Sequence, residues 1–247
     1  MTEQERKFRL DAVQAAIDNN LLEGLYLDQQ TLNLFNAWIE NQISFDEVEK
    51  VSMKYAESDR YTDKNGVLFN KLNAKTEQEL EEKESRIVAL QSIKLRLLPV
   101  EGNFDLVHLQ EIHRRLFNDI YEWAGEIRDV GITKGKTVFA SPHRIQPEFA
   151  KLHKHYQNEV FLLLSKSEVA NKLAYYLGEI NILHPFREGN GRVQREFIIQ
   201  LAQKFGYRLH FNGVSQQEMI LASEKSALYC DNSLLEKIIL ARLEPNK

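Results

Sequence analysis

The segment from His184 to Phe197, HPFREGNGRVQREF, places an imidazole, the carboxylate of Glu188, a Gly-Asn-Gly turn and three arginines within about four helical turns. Each of these groups can act on phosphate. A histidine that is neutral near pH 7 can take a proton from an attacking hydroxyl. Glu188 is suited to hold Mg²⁺, which would bridge phosphate oxygens, and guanidinium groups grip phosphates. The segment therefore predicts a nucleotidyl- or phosphoryl-transfer site.

Two helices are expected to position these groups. An apolar helical pattern over residues 167–183 should end at His184, because Pro185 disfavours helical geometry at the residue before it. The imidazole would then lie at the mouth of a loop. The glycines of 189–191 allow successive backbone N–H groups to turn toward one point, and a second helical pattern over 190–205 follows. We therefore expect these N–H groups to form an anion site at a helix amino terminus.

The arginines of the second helix support an anion site. Arg192 lies in the first turn, where a cation opposes the helix dipole at a cost of a few tenths of a kcal/mol unless an anion is near. Arg195 follows three residues later on the same face, so the two guanidiniums could hold adjacent phosphates of one chain. The alternative is a structural His184 beside solvated Arg–Glu pairs. The combination in this order favours the site.

This segment resembles the motif of the Fic family, HPFx(D/E)GNGRxxR. The chain meets every fixed position of that motif, with His184, Pro185, Phe186, Glu188, Gly189, Asn190, Gly191, Arg192 and Arg195. The resemblance covers about residues 55–247. Residues 112–128, IHRRLFNDIYEWAGEIR, are similar to the family's helix leading into its flap, and residues 127–142 lie where the flap should be.

The resemblance implies a protein adenylyltransferase. His184 would deprotonate a hydroxyl of a target protein, which then attacks the α-phosphate of ATP with pyrophosphate leaving. Glu188 would hold Mg²⁺. The flap would pair with an extended target segment by strand addition and align its Ser, Thr or Tyr.

The same resemblance assigns the remaining motif residues. The loop amides and Asn190 would hold the α- and β-phosphates, Arg192 the β-phosphate and Arg195 the γ-phosphate. Pro185 and Phe186 would be structural, with the phenylalanine as a hydrophobic anchor.

The first 57 residues are expected to form a separate acidic module. Capping-box patterns at Thr2 and Ser44 and helical spacing of apolar residues predict three short helices. Residues 1–60 carry 12 acidic and 6 basic side chains, a net charge of −6, whereas the remainder carries 24 and 26, a net charge of +2. A polar stretch without helical period follows near residues 57–62. We therefore predict an inhibitory module over 1–57 and a Fic domain over 58–247.

The module resembles the VbhA/FicA-type antitoxins that accompany FicT/VbhT-like toxins. Their inhibitory helix reads (S/T)xxxE(G/N), and the sequence NNLLEG supplies Glu23 and Gly24, with Asn19 in place of the Ser or Thr. The resemblance implies that Glu23 pairs with Arg195 and blocks the γ-phosphate position. The alternative for Glu23 is a solvent-facing acid near a helix end.

The fold class expected for the whole chain is all-α: a Fic-fold helical bundle with a β-hairpin flap over 127–142, preceded by the three-helix module. Further helices are predicted over 76–98, 104–120, 146–164, 167–183, 190–205, 215–228 and 232–243. The single cysteine, Cys230, excludes an internal disulfide framework and is expected to be buried. No apolar run reaches the ~18 residues of a membrane span, which favours a cytoplasmic protein without a membrane partner. A pI near 6 argues against direct nucleic-acid binding.

Two other classes of function stay open. The same site could transfer a phosphoryl group, as in the Doc-like branch, or remove AMP, although the intact GNGR rather than a lysine-bearing variant favours AMP transfer. The chain could also be a non-enzymatic module that docks partners through its flap and acidic helices. By resemblance, the expected targets are the ATPase subunits of DNA gyrase and topoisomerase IV.

Overall fold

The computed structural model describes residues 1–22, 27, 29–57, 60–134, 137–158 and 164–246. This part of the chain divides into two compact units, Met1–Phe69 and Asn70–Lys247. In chain order its helices are α1 (Glu3–Leu22), α2 (Gln29–Ile39), α3 (Phe45–Glu57), α4 (Glu77–Leu97), α5 (Leu106–Phe117), α6 (Pro142–Gln157), α7 (Lys166–Leu183), α8 (Asn190–Lys204), α9 (Gln216–Tyr229) and α10 (Ser233–Leu240). Its strands are β1 (Thr133–Lys134), β2 (Thr137–Val138), β3 (Tyr207–Leu209) and β4 (Leu243–Pro245). The mainly helical fold confirms the expected class.

The first unit contains α1, α2 and α3, where three helices were predicted. The capping box at Thr2 is formed, since its N–H donates to the Glu5 carboxylate at 2.6 Å and its hydroxyl accepts from the Glu5 N–H at 3.2 Å. Ser44 and Glu47 make the same reciprocal pair at the start of α3. These local bonds satisfy N–H groups that a helix start otherwise leaves without partners.

In the second unit α7 and α8 lie at the centre. α7 contacts α6, α8, α9 and α10, while α8 also contacts α5 and β3. Both helices are apolar around much of their circumference because neighbours cover them on several sides. The motif loop joins these two helices, so a well-packed core fixes the position of both its ends.

Of the helices that precede α7 in the second unit, α4 and α5 begin at side-chain caps, whereas α6 begins at a proline. The Thr76 hydroxyl accepts from Glu79 N–H at the start of α4, as predicted, and the Asp105 carboxylate accepts from His108 N–H at the start of α5. α6 begins at Pro142, four residues before the predicted start. Proline is favoured at the first helical position because its missing N–H would be without a partner there.

The β structure is a confirmed hairpin and a second, unpredicted sheet. β1 and β2 are antiparallel, with Thr133 opposite Val138, and the connecting residues 135–136 lie outside the described part of the chain. β3 pairs with β4 in a second small sheet that was not predicted. The predicted last helix also ran too far, since α10 ends at Leu240 and leaves residues for β4. Strands of three residues are too short to show a period-two pattern, and these partners are far apart in sequence.

Cys230 is exposed, so the expectation that it is buried was wrong. It caps α9 with a φ of 52°, and it therefore lies at the end of the helix instead of on a packed face. Among the described helices, none combines the length and the apolar character that crossing a membrane requires.

Candidate active site

His184 ends α7 in a left-handed conformation, with φ 45° and ψ 62°. Its N–H still donates to the Ile180 carbonyl at 3.0 Å, so the residue caps the helix as Pro185 predicts. The ring atom Nδ1 lies 3.1 Å from the Asn181 carbonyl oxygen. A carbonyl can only accept, so this bond places the proton on Nδ1 and leaves the lone pair on Nε2.

The environment of His184 keeps its imidazole neutral. Burial is the main cause that lowers the pKa of His184 to about 4. Arg128 and Lys134 lower this pKa further, whereas the hydrogen bond to the Asn181 carbonyl raises it. Phe139 provides part of this cover, because its ring stacks on the imidazole with centroids 3.6 Å apart. At neutral pH the ring is therefore uncharged, and its Nε2 can accept a proton.

The Gly-Asn-Gly turn has the conformation expected for an anion cradle. Gly189 has φ 79°, and a Cβ at this position would lie 2.3 Å from the Phe117 ring, so glycine is required on both counts. The Asn190 side chain is buried and closes the loop: Oδ1 accepts from the Phe186 N–H at 2.9 Å and Nδ2 donates to the Phe186 carbonyl at 2.6 Å. Asn190 thus offers an anion its main-chain N–H, which in the first turn of α8 has no intrahelical acceptor.

His113 contacts the motif loop, and it was not among the predicted site residues. Its Nδ1 accepts from the Gly125 N–H at 2.7 Å, while Nε2 donates to the Glu188 carbonyl at 3.1 Å. Its ring stacks on the fully buried Phe186 at 4.0 Å. Burial is the main cause that lowers the pKa of His113 to about 3, so the ring stays neutral and holds one tautomer. A histidine on the buried face of a helix carries no motif that would have revealed this role.

Glu188 lies at the loop with its side chain 44% exposed. Its Oε1 accepts from the Gly189 N–H at 2.7 Å and from Arg192 Nη2 at 3.2 Å. Within the described residues no cluster of three metal-binding side chains exists. Mg²⁺ is usually held by one or two carboxylates together with substrate phosphates, so a single accessible carboxylate fits that ion.

The two motif arginines differ in their surroundings. Arg192 Nη1 forms an ion pair with Glu84 at 2.5 Å, and its guanidinium lies 4.8 Å above the centre of the Phe117 ring. For Arg195, the described part of the chain has no carboxylate within ion-pair distance, and burial followed by Arg192 lowers its pKa. Arg195 is therefore the cation more open to an incoming anion. Glu84 was not predicted, because it lies on α4 about a hundred residues away in an acidic stretch that resembles a solvated helix face.

Two cavities meet at these residues. One of about 580 Å³ and one of about 500 Å³ share Lys134, Glu188, Gly191, Arg195, Met219 and Ile220 in their linings. The smaller one extends to His184 and Phe139, and the larger one to Phe211 and Val214. His184, Glu188 and the half-buried Arg195 thus face one continuous region of a size typical for small-molecule sites.

Arg128 connects the flap to the base. This arginine is 1% exposed and donates to the carbonyls of Val130, Ala140, Leu183 and His184. Its own N–H donates to the Pro185 carbonyl at 2.9 Å. One side chain therefore holds the stem of the hairpin against the end of α7.

The predicted inhibitory residues are only partly within the described chain. Asn19 belongs to α1, but its side chain is not described, and Glu23 and Gly24 lie outside the described residues. The pairing of Glu23 with Arg195 stays a prediction.

Comparison with known proteins places this site in a family. A model of the Fic/DOC family matches residues 103–202. Protein adenylyltransferase VbhT of Bartonella schoenbuchensis is 42% identical over 187 residues, which cover 75% of this chain and 39% of VbhT. A probable protein adenylyltransferase Fic of Escherichia coli K12 is 37% identical over 163 residues, covering 66% of this chain and 80% of that protein. This chain thus spans about two fifths of VbhT but most of the E. coli protein.

Solved structures show the same fold. An N-terminal Fic domain from Bartonella quintana with bound ADP has a TM-score of 0.70 and 31% identity, covering 76% of this chain and 95% of that one. BepC from Bartonella tribocorum with bound AMPPNP has a TM-score of 0.69 and 27% identity, covering 78% and 98%. With the motif, the helical fold and these relatives in agreement, the chain belongs to the Fic/DOC family of enzymes.

Proposed function

We propose that this chain is a protein adenylyltransferase, which moves AMP from Mg-ATP to a Ser, Thr or Tyr hydroxyl of a target protein. The observation that carries the proposal is the neutral His184 facing the same cavity as Arg195 and the Glu188 carboxylate. Relatives named protein adenylyltransferases and related structures that hold ADP or AMPPNP support it.

The proton step uses His184. Its Nε2 accepts the proton of the target hydroxyl while the hydroxyl oxygen forms a bond to the α-phosphorus. The bond from that phosphorus to the oxygen bridging the α- and β-phosphates breaks, and pyrophosphate leaves with the electron pair. The Asn181 carbonyl, 3.1 Å from Nδ1, holds the ring in the tautomer that this transfer needs.

The remaining motif residues hold the triphosphate. The main-chain N–H groups of Asn190 and Gly191, at the start of α8, suit the α- and β-phosphates. Arg192 is assigned to the β-phosphate and Arg195 to the γ-phosphate. Glu188 would hold Mg²⁺, which when bound neutralises charge on the phosphate oxygens.

The hairpin is assigned to the target protein. β1 and β2 form a sheet of two strands, which leaves strand edges for an extended segment of another protein. Phe139 directly follows β2 and stacks on His184, so a hydroxyl aligned on the hairpin would lie near the base. Strand addition fixes the backbone of the target, which lowers the entropic cost of orienting its hydroxyl.

Autoinhibition by the first 57 residues belongs to the same proposal. Glu23 would pair with Arg195 and occupy the guanidinium that the γ-phosphate needs. Arg195 is half-buried, burial and Arg192 lower its pKa, and Glu196 is the carboxylate that opposes this shift, so a second carboxylate would be favourable there. A 100-fold inhibition requires only ~2.7 kcal/mol of coupling between the two sites.

The proposed targets are the ATPase subunits of DNA gyrase and topoisomerase IV in the cytoplasm. The test is mass spectrometry of each purified subunit after incubation with Mg-ATP and the Glu23→Gly chain. We expect covalently attached AMP on a hydroxyl residue. A phosphate adduct would indicate the Doc-like reaction, loss of AMP from a pre-modified target would indicate removal, and ATP-independent binding without modification would indicate a docking module; each outcome overturns AMP transfer.

A further inference from the structure

A buried carboxylate outside the Fic motif contacts Arg192 of that motif. Glu84 lies on α4 and is 8% exposed, and it also lies outside the segment that matches the family model. Its Oε1 is 2.5 Å from Arg192 Nη1, and its Oε2 accepts the hydroxyl of Tyr121. Burial, followed by the charge of Glu84, raises the pKa of Tyr121, so this hydroxyl stays protonated and keeps donating.

Arg192 is held at three points. Nη1 contacts Glu84, Nη2 contacts Glu188 Oε1 at 3.2 Å, and the guanidinium plane lies over the Phe117 ring. The contact to Glu84 is the shorter of the two ion pairs and the more buried, and both features strengthen it. Glu84 and Glu188 therefore share the same guanidinium, and Glu84 makes the shorter contact.

This sharing affects the charge that Glu188 can offer. Two carboxylates share one guanidinium, so this cluster of three side chains carries a net charge of −1. Glu84 makes the shorter and more buried contact with Arg192, and no hydrogen bond within the described residues reaches Oε2 of Glu188. If Glu84 were neutral, Arg192 could pair fully with Glu188 and would then oppose a cation there.

We propose that Glu84 is a positioning residue that limits the pairing of Arg192 with Glu188 to one longer contact and so keeps the Glu188 carboxylate available for a divalent cation on the nucleotide. This inference rests on the proposed function, because it concerns the same nucleotide site.

The test compares nucleotide binding by the full chain and by Glu84→Gln, which keeps the shape of the side chain but removes its charge. Calorimetry would measure AMPPNP binding in EDTA and over a Mg²⁺ titration. We expect the Mg²⁺ concentration for half-maximal tight binding to rise about 10-fold, the scale of one charge-assisted contact. Binding in EDTA should be unchanged or tighter, because the substitution removes a negative charge that would repel the phosphates.

A higher Mg²⁺ requirement together with unchanged or tighter binding in EDTA distinguishes a positioning role from a general loss of structure. A merely structural role would weaken binding in both conditions and would lower the melting temperature as well. Glu81→Gln, an exposed acid on the same helix, is the matched control and should change neither value. Tyr121→Phe removes the hydrogen bond without the charge, and its Mg²⁺ dependence should match that of the parent.

If Glu84→Gln does not fold, Glu84→Asp keeps the charge but withdraws it by one methylene, and a smaller shift in the same direction is expected. An unchanged Mg²⁺ midpoint, or parallel weakening with and without Mg²⁺, would refute the role of Glu84 while leaving AMP transfer intact. If the parent chain binds no AMPPNP in either condition, the proposed function itself fails, and this inference with it.

Discussion

At the scale of single residues, two cations add to the effect of burial in lowering the pKa of His184, and the same cations favour an anion at its site. Arg128 and Lys134 disfavour the imidazolium, and Lys134 also lines the cavity shared by Glu188 and Arg195. A bound triphosphate would offset these cations and raise the pKa of His184. The base would therefore become a better proton acceptor when the nucleotide is present.

The base assignment predicts a specific kinetic defect. His184→Ala should lower AMP transfer by at least about 100-fold, the lower end of general-base contributions, whereas ATP should still bind. Transfer would be followed with labelled ATP and binding by calorimetry. His143→Ala, at a histidine of α6 outside the cavity linings, is the control. Full activity of the His184 variant would remove the base assignment.

The titration of His184 provides a second test at this scale. In the free chain an NMR titration should give a pKa of about 4, and Phe139→Ala should raise this value because it removes cover from the ring. The unfolded chain takes up this proton near pH 6.5, before the folded one does. Because of His184, the free energy of unfolding should therefore decrease by up to about 3 kcal/mol as the pH falls from about 6.5 to 4. A His184 pKa of about 6.5 in the parent chain would contradict the burial of this imidazole in its neutral form.

At the scale of elements, the end of α7 and the flap behave as one unit through Arg128. Arg128→Lys should destabilise the chain by about 3 kcal/mol or more, because a single ammonium cannot satisfy four carbonyls spread around a planar guanidinium. Denaturant unfolding would measure this. Transfer should fall as well, since the flap and His184 lose their common support. Equal stability and activity of the lysine variant would show that the other contacts suffice.

Local signals in the sequence were enough to predict most elements and the motif loop. Caps at Ser44 and Thr76, and Pro185 at the end of α7, act within a few residues and appear directly in the sequence. The supports of the loop could not be predicted in this way. Glu84 and His113 reach it from other helices, and the pairing of β3 with β4 joins distant segments, so each depends on tertiary packing.

At the scale of the whole chain, the acidic first module and the slightly basic remainder suggest regulation in cis. Glu23→Gly should raise AMP incorporation into the target by up to about 100-fold if the coupling is ~2.7 kcal/mol. Glu23→Gln should act in the same direction because it removes the charge, whereas Asp18→Asn, on the same module, should have little effect. Incorporation that is equal in all four chains would refute the inhibitory role.

The most direct test of AMP transfer by His184 uses ATP labelled at either its α- or its γ-phosphate. The Glu23→Gly chain and its His184→Ala double variant would each be incubated with a gyrase ATPase subunit, Mg²⁺ and one of the labelled nucleotides. We predict that the target gains the α-label, gains no γ-label, and gains neither with the double variant. A target that carries the γ-label, or that gains the α-label without His184, would contradict this mechanism.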